Sequence, residues 1–172
     1  YNDENNTPSR NNLINIIDLG AVPDANYYNE STGKYYIDAS CTASATDNTW
    51  AFQEAIDKAS TVLVPQGNYL IEGSIELTGK HINIKGENKK NTRMFFSGDK
   101  IKNANVNAQS EAVIVNSGFT YWYNSDKSQS IVIENISMDY IRNDKSKPKT
   151  LLLIGNIDKV LFRNYISKAH NS

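Results

Sequence analysis

Two histidines, scattered carboxylates and one run of aromatic residues are the side chains of this 172-residue chain with the most chemical potential. A metal site or a Ser-His-acid arrangement needs several such groups that converge in space. His81 and His170 lie far apart in the sequence, each beside a predicted strand. We therefore expect no metal site, and we assign no cofactor.

The aromatic run FTYWY occupies residues 119–123. In a strand, alternate side chains point to opposite sides, so Tyr121 and Trp122 would lie on different faces of the sheet. Trp122 together with a neighbouring tyrosine, Tyr121, could stack on sugar rings. Core packing or a contact with another subunit is the more common role of such rings, and we keep both interpretations open.

Charge and cysteine content exclude several classes of partner and site. The net charge is -1, with no long run of one sign, so the sequence predicts neither a nucleic-acid partner nor binding to an anionic membrane. No window approaches the roughly 20 apolar residues of a membrane span, and we expect no membrane insertion. The single cysteine, Cys41, excludes an internal disulfide framework.

The elements that must position these residues begin behind a polar segment, residues 1–12, which we interpret as an arm or linker. The segment LINIIDLGAV, residues 13–22, predicts a first strand. A hairpin is predicted next: tyrosines at 27–28 face residues 35–37, and Gly33 supplies a positive φ in the connection.

One helix is predicted, in DNTWAFQEAIDKAS, residues 47–60. Its apolar stripe has the i, i+3, i+4, i+7 spacing and consists of Phe52, Ala55, Ile56 and Ala59. Asp47 and Asn48 are suited to cap its free N–H groups. Trp50 lies off the stripe, and we expect it to cover the end of whatever the helix packs against.

Short strands fill the rest of the chain, and one phrase recurs among them. IVNS, IENI and IGNI place asparagines at Asn116, Asn135 and Asn156, with separations of 135−116 = 19 and 156−135 = 21 residues. Repeats of this length are typical of one turn of a solenoid, and one asparagine at each bend predicts a stacked ladder. KGEN, ending at Asn88, is a candidate earlier copy.

The sequence therefore predicts an all-β fold: a parallel β-helix with an N-terminal capping α-helix. A sandwich of antiparallel hairpins is the alternative, but its turns would recur every 8 to 12 residues without a repeated phrase. We divide the chain into the arm (1–12), the first strands and cap (13–80) and the first coils (81–172). Because no second cap follows the last coil, we expect the chain to be cut from a longer protein.

The order GAVPD, DNTWAFQEAID, VLVPQGNYLI resembles the opening of the pectate-lyase-like superfamily, whose members are right-handed parallel β-helices. The matching residues are Asp47, Phe52, Pro65, Gly67 and Tyr69, and the resemblance implies capping and turning roles for them. Two departures are Asp24-Ala25, where the family usually has Asp-Gly, and the tyrosine-rich hairpin, which is an insertion.

For members of that superfamily that cleave polysaccharides, the resemblance implies paired acids or a cation with a base in a groove along the coils. Offsets of 19 and 21 place Glu134 beside Val115 and Gly155. The same offsets leave Asp139 and Asp158 beside non-acidic residues. No two acids align, so we assign no catalytic residue, although acids of the loops could still meet across a groove. The loop acids are Asp99, Asp126 and Asp144.

The resemblance implies, as a leading hypothesis, the N-terminal β-helix segment of a bacteriophage tail spike or appendage that binds host-surface polysaccharide. Any catalytic part would lie in later coils, this segment alone would be inactive, and the whole protein would be a homotrimer on a virion tail or outside the cell. One alternative is a secreted polysaccharide lyase or glycoside hydrolase. The other is a structural adhesin or connector without catalysis.

Overall fold

A computed structural model describes residues 11–77, 81–100, 117–121, 130–142, 150–154 and 159–171. These residues are mostly β-strand, with one α-helix and one short 3₁₀ helix. None of the helices in these ranges has the length and apolar character needed to cross a membrane.

The elements follow one another in a simple order. The 3₁₀ helix spans Ile16–Leu19 and α1 spans Thr49–Lys58. The strands are β1 (Asn11–Asn15), β2 (Tyr27–Asn29), β3 (Lys34–Tyr36), β4 (Ala59–Val64), β5 (Gly67–Ile71), β6 (Ile75–Glu76), β7 (Ile82–Gly86), β8 (Thr92–Phe96), β9 (Ser117–Tyr121), β10 (Ser130–Arg142), β11 (Thr150–Ile154) and β12 (Lys159–Asn171).

The strands form three faces. Face 1 holds β1, β4, β7 and the first parts of β10 and β12, and face 2 holds β5, β8 and the second parts of β10 and β12. Face 3 holds β6, β9 and β11. Every strand pair within these faces is parallel, which contradicts the hairpin sandwich for the described residues. The strands curl into a half-barrel, consistent with a parallel β-helix.

Successive passages of the chain stack as layers, numbered here from the strand of face 1 that each contains: layer 1 from β4, layer 2 from β7, layer 3 from β10 and layer 4 from β12. Their inward side chains lie in register. On face 1, Val62 is beside Ile84, which is beside Ile133, and all three are fully buried. On face 2, Tyr69 and Met94 continue the same core. Burying each such side chain stabilises the fold by about 1.5–3 kcal/mol, so the apolar stack holds the layers together.

Helix α1 closes the interior beside layer 1. It packs against β1, β4 and β6, and Phe52 lies edge-on to Tyr69 with ring centroids 5.9 Å apart. The predicted stripe is buried, although Ala59 begins β4 instead of ending the helix. Trp50 is 50 % exposed and lies over Gly20, where an added Cβ would come within 3.3 Å of its ring.

Two predictions about the cap are wrong. The strand expected over residues 13–22 ends at Asn15, because the Asn15 side chain accepts the N–H of Ile17 and starts the 3₁₀ helix, which Gly20 ends with φ 91°. Asn48 makes no side-chain bond to the helix. Its fully buried amide instead binds both backbone groups of Val22, which fixes the preceding loop to the helix.

The hairpin of β2 and β3 is antiparallel and has Gly33 at φ 67°, as predicted. It lies on the outer side of face 2, where Tyr35 stacks on Phe95 at 4.8 Å and contacts Tyr28 at 4.9 Å. Leu70 joins this second apolar cluster, and burial raises the pKa of Tyr35 above its usual value. In the part of the chain that the structure describes, the hairpin therefore covers the outer surface of face 2 and not that of face 1.

Layer 3 rests directly on Gly86 of layer 2. A Cβ at Gly86 would lie 2.0 Å from the backbone oxygen of Asn135. We expect Gly86→Ala to lower the free energy of unfolding by about 3 kcal/mol, because backbone atoms must shift to relieve the overlap. Urea unfolding of the full chain measures this change.

Lys85→Ala is the matched control, since the Lys85 side chain is exposed on the same strand, and its effect should stay within about 0.5 kcal/mol. A Gly86→Ala variant as stable as its parent would contradict this stacking of layer 3 on layer 2.

Candidate functional site

The corner between face 1 and face 2 is formed by single asparagines in layers 3 and 4. Asn135 and Asn164 have left-handed backbones, with φ of 55° and 49°, so the chain bends there within one long strand. Asparagine tolerates this conformation better than most residues do. The Asn164 amide nitrogen donates to the Asn135 amide oxygen, which links the two corners as a ladder.

In layer 2 the same corner is widened by a loop, residues 87–91, between β7 and β8. The Asn88 side chain accepts the N–H groups of Lys90 and Asn91, at 2.8 and 3.3 Å, and so fixes the loop as a tight turn. The Thr92 hydroxyl accepts the N–H of Asn88 and restarts the sheet. The loop lies beside the asparagine corners and forms one side of the surface next to them, which we call the wall.

Two adjoining hollows lie along this wall, and together they form what we call the corner groove. One has a volume of about 450 Å³ and is lined by Asn15, Leu63, Pro65, Lys85, Gly86, Glu87 and Asn135. The other has a volume of about 480 Å³ and is lined by Glu87, Asn88, Lys89, Lys90, Asn135 and Asn164. The groove runs across the layers from β1 to β12 and is lined mainly by amide and charged side chains.

Charges in and beside the corner groove are unequal. Its lining contains Lys85, Lys89 and Lys90 but only one acid, Glu87. The Glu87 carboxylate accepts the backbone N–H of Gln66 at 2.8 Å. Next to the lining, the Glu134 carboxylate is paired with Arg163 at 3.0 Å. The groove can therefore bind hydroxyl groups through its amides and negative groups through its lysines.

A family model described as "Rhamnogalacturonase A/epimerase, pectate lyase-like" matches residues 39–156, which is more than half of the chain. The chain belongs to this pectate lyase-like family. Searches of curated proteins and of solved structures gave no match.

The asparagine ladder of this pectate lyase-like protein has a different register from the predicted one. The strand pairing places Asn164 beside Asn135, an offset of 164−135 = 29 residues, so the offset of 21 and the partner Asn156 are wrong. Asn116 and Asn156 themselves lie outside the described residues. The signal was present: SIVIENISMDYIR and KVLFRNYISKAHN align with asparagine at the sixth position of each.

The new register also changes the neighbours of the acids. Glu134 lies between Lys85 and Arg163 instead of beside Gly155. Asp139 lies beside Lys168 instead of Val160. The expected lack of acid pairing holds at these positions, for a different reason: basic residues, not neutral ones, flank both carboxylates on the layer 4 side.

Other candidate residues are only partly described. Tyr121 is the last residue of β9, whereas Trp122, Asp126, Asp144 and Asp158 lie outside the described residues. Asp99 follows β8 in a turn. His81 accepts the N–H of Ser130 through Nδ1 at 3.3 Å. His170 is a residue of β12 whose backbone is beside that of Ile141 in β10. Within the described ranges, no group of three potential ligands is placed to hold a metal ion.

The residues matched to the superfamily motif lie around layer 1. Gly67 has φ 145°, and a Cβ there would meet Pro23 at 2.4 Å. The buried Tyr69 hydroxyl donates to the carbonyl of Pro65 at 2.9 Å, which closes the turn between β4 and β5. Phe52 lies in α1. Asp47 lies at the start of that helix, where it accepts the N–H and the hydroxyl of Thr49.

Asp47 also joins the cap to layer 1. It accepts the N–H of Glu72, and Lys100 pairs with both carboxylates, at 3.2 Å to Asp47 and 2.6 Å to Glu72. Burial by itself would raise the pKa of the Asp47 carboxyl, but its hydrogen bonds outweigh burial and hold that pKa below its usual value. Hydrogen bonding to Glu72 raises the pKa of Lys100.

We expect Asp47→Asn to lower the free energy of unfolding by about 2 kcal/mol at pH 7, because hydrogen bonds to a partly buried charge are lost. A carboxyl whose pKa is lowered on folding stabilises the protein above its unfolded pKa of about 3.9. That stabilisation is lost as the pH falls through the folded pKa. The difference between parent and variant should therefore narrow below about pH 4, as measured by urea unfolding.

Asp18→Asn makes the same charge change at an exposed position of the 3₁₀ helix and should have little effect at either pH. A difference between Asp47→Asn and its parent that is constant with pH would show that the ionised form of Asp47 contributes nothing.

Proposed function

We propose that this chain forms part of a complete right-handed β-helix solenoid that binds polysaccharide. The observation that carries the proposal is the match of a pectate lyase-like, carbohydrate-active family to a chain whose described strands pair in parallel within each face. Parallel layers present the same outward positions again at each step, so a solenoid offers a repeating surface to a repeating polymer.

The corner groove supports binding as its role. Its acid Glu87 is engaged by a backbone N–H, and the adjacent acid Glu134 is engaged by Arg163. A general acid or base must be within reach of the substrate and must exchange a proton with it. Carboxylates engaged in these contacts are better suited to hold the residues of the groove in place than to catalyse a reaction there.

As the finer assignment we propose a tail spike or tail appendage of a bacteriophage, located on the virion tail or outside the cell, with host-surface polysaccharide as its partner. The resemblance of the opening strands supports this assignment. The closed cap also supports it, because α1 and the hairpin seal layer 1 and cover one outer face.

A second candidate is a polysaccharide-cleaving enzyme, which the words "Rhamnogalacturonase A/epimerase" in the family description favour. The two candidates differ in what the protein leaves behind. A lyase produces both unsaturated ends and new reducing ends, a hydrolase produces new reducing ends without unsaturation, and a binding protein leaves the polymer at its original length.

We expect the protein to bind at least one member of a panel of acidic and neutral polysaccharides without shortening it. Affinity electrophoresis measures binding, and assays for unsaturated and reducing ends measure cleavage. Cleavage products would favour the enzyme over the binding protein. The absence of binding to every polymer would contradict the proposed function.

We also propose that the intact protein is a homotrimer. Ile17, Val22 and Trp50 are 39 %, 41 % and 50 % exposed around the 3₁₀ helix, and a subunit contact would bury such apolar side chains. Multi-angle light scattering should give the mass of three chains. A mass of one chain at all protein concentrations would contradict the trimer.

A further inference from the structure

We propose that the outward side of the hairpin binds a neutral sugar chain, whose rings stack on Tyr27 and Tyr36. This inference rests on the proposed function for the ligand's being a polysaccharide. It goes further by assigning a site and a chemical class, a polymer of uncharged hexoses. Both tyrosines precede residues 39–156, which the family model matches, so the site belongs to the insertion and not to the shared layers.

The first argument is that three short segments place aromatic and hydroxyl side chains in one row. Strand β3 pairs antiparallel with β2 at one edge, and residues 43–45 lie antiparallel to it at the other edge. The register puts Tyr27 opposite Tyr36, and Tyr36 opposite Ser44. Side chains that are directly opposite one another lie on the same side of a sheet. These three side chains therefore form what we call the outward row.

The second argument is that the outward row faces solvent and is fixed from below. The alternate side chains of the same segments pack in the second apolar cluster, on face 2: Tyr28, Tyr35 and Ala45. Successive side chains of a strand point to opposite sides, so the outward row points away from face 2. Tyr27 is 39 % exposed, and Ser44 is exposed as well. The rings are thus held in place before a ligand arrives, which lowers the entropy cost of binding.

The third argument is the arrangement of the hydroxyl groups. The Tyr36 hydroxyl donates to Oγ1 of Thr32 at 3.3 Å, and the Thr32 hydroxyl donates to the carbonyl of Asn29 at 3.4 Å. These bonds direct the Tyr36 ring along the hairpin towards its turn. The hydroxyls of Tyr27 and Ser44 form no hydrogen bond with any residue that the structure describes. They can therefore bind sugar hydroxyls, which both donate and accept.

The fourth argument is the charge and spacing of the outward row. None of its three side chains is charged, and Lys34 is the only charged residue on the outward side of β2 and β3. Neighbouring strands lie about 4.8 Å apart, so the two tyrosines are spaced much as successive residues of an extended sugar chain are. Aromatic rings contact the C–H face of a sugar, and hydroxyls contact its rim. A neutral hexose polymer offers both of these surfaces without a carboxylate that needs a cation.

The test uses three neutral polymers as probes: dextran, galactomannan and glucomannan. Affinity electrophoresis of the full chain over a range of polymer concentrations gives a dissociation constant for each probe. We expect at least one of them to retard the parent. The double variant Tyr27→Ala, Tyr36→Ala should bind that polymer about tenfold more weakly. Added salt should leave the affinity of the parent unchanged, because the outward row has no charge.

Two control variants show whether the rings themselves are needed. The double variant Tyr27→Phe, Tyr36→Phe keeps both rings and removes their hydroxyls, so it should bind within about threefold of the parent. Tyr165→Ala removes a ring that is 47 % exposed in β12, outside the outward row, and should bind as the parent does. A phenylalanine variant as weak as the alanine variant would overturn stacking as the mode of binding.

Further outcomes separate this inference from the proposed function. If the alanine variant binds as tightly as the parent, or if only acidic polysaccharides bind the parent, the inference is wrong and the proposed function stands. If no polysaccharide of the panel and none of these probes binds the parent, both are wrong. Light scattering should give parent and alanine variant the same mass. A smaller mass for the variant would show that the rings contact another subunit, which would overturn the assigned site.

Discussion

In-register stacking of parallel strands is the constraint on which the rest of this structure depends. Each layer satisfies its backbone hydrogen bonds through the layers beside it. A shift of one residue would move every side chain of a strand to the opposite face, so the buried side determines the register. The apolar column Val62, Ile84 and Ile133 fixes that register from the inside. Gly86 fixes it at the corner, since only hydrogen fits beneath the Asn135 carbonyl.

The corner groove follows from the same stacking. A bend made by one left-handed asparagine keeps β10 and β12 continuous around the corner, and the amides then lie one above the other. In layer 2 a five-residue loop replaces that bend, and its wall converts a smooth corner into a groove. The site therefore arises from a difference between layers, and it needs the other layers to provide its floor.

The cap and the hairpin cover different parts of the stacked layers. Helix α1 covers the apolar interior beside layer 1, and the cluster of Asp47, Glu72 and Lys100 ties the helix start to the strand end and to the turn after β8. The hairpin packs Tyr35 on Phe95 and covers the outer side of face 2. Among the described residues, the hairpin therefore covers the outer side of face 2 and not that of face 1.

The sequence by itself determined the local elements and the fold class. The stripe around Phe52 and Ile56 predicted the helix, Gly33 predicted the hairpin, and the spaced asparagines predicted parallel layers. The first two signals are local, because side-chain period and backbone preference act over a few residues. The asparagine repeat is not local, and it predicted parallel layers with the wrong offset between them. The same local reasoning failed where a side chain had a distant partner: Asn48 was expected to cap its helix but binds Val22, 26 residues away.

Only the tertiary structure decided which layers face one another. The distance from one corner to the next is set by loop length, which differs from layer to layer. The 19- and 21-residue repeats therefore predicted the wrong partner, and the pairing of β10 with β12 determines the offset of 29 between Asn135 and Asn164. Lys85, Lys89 and Lys90 likewise appear in the sequence as ordinary surface charges. They come together because the loop of layer 2 lies beside a corner formed by Asn135 and Asn164. These asparagines follow Lys90 by 135−90 = 45 and 164−90 = 74 residues in the sequence.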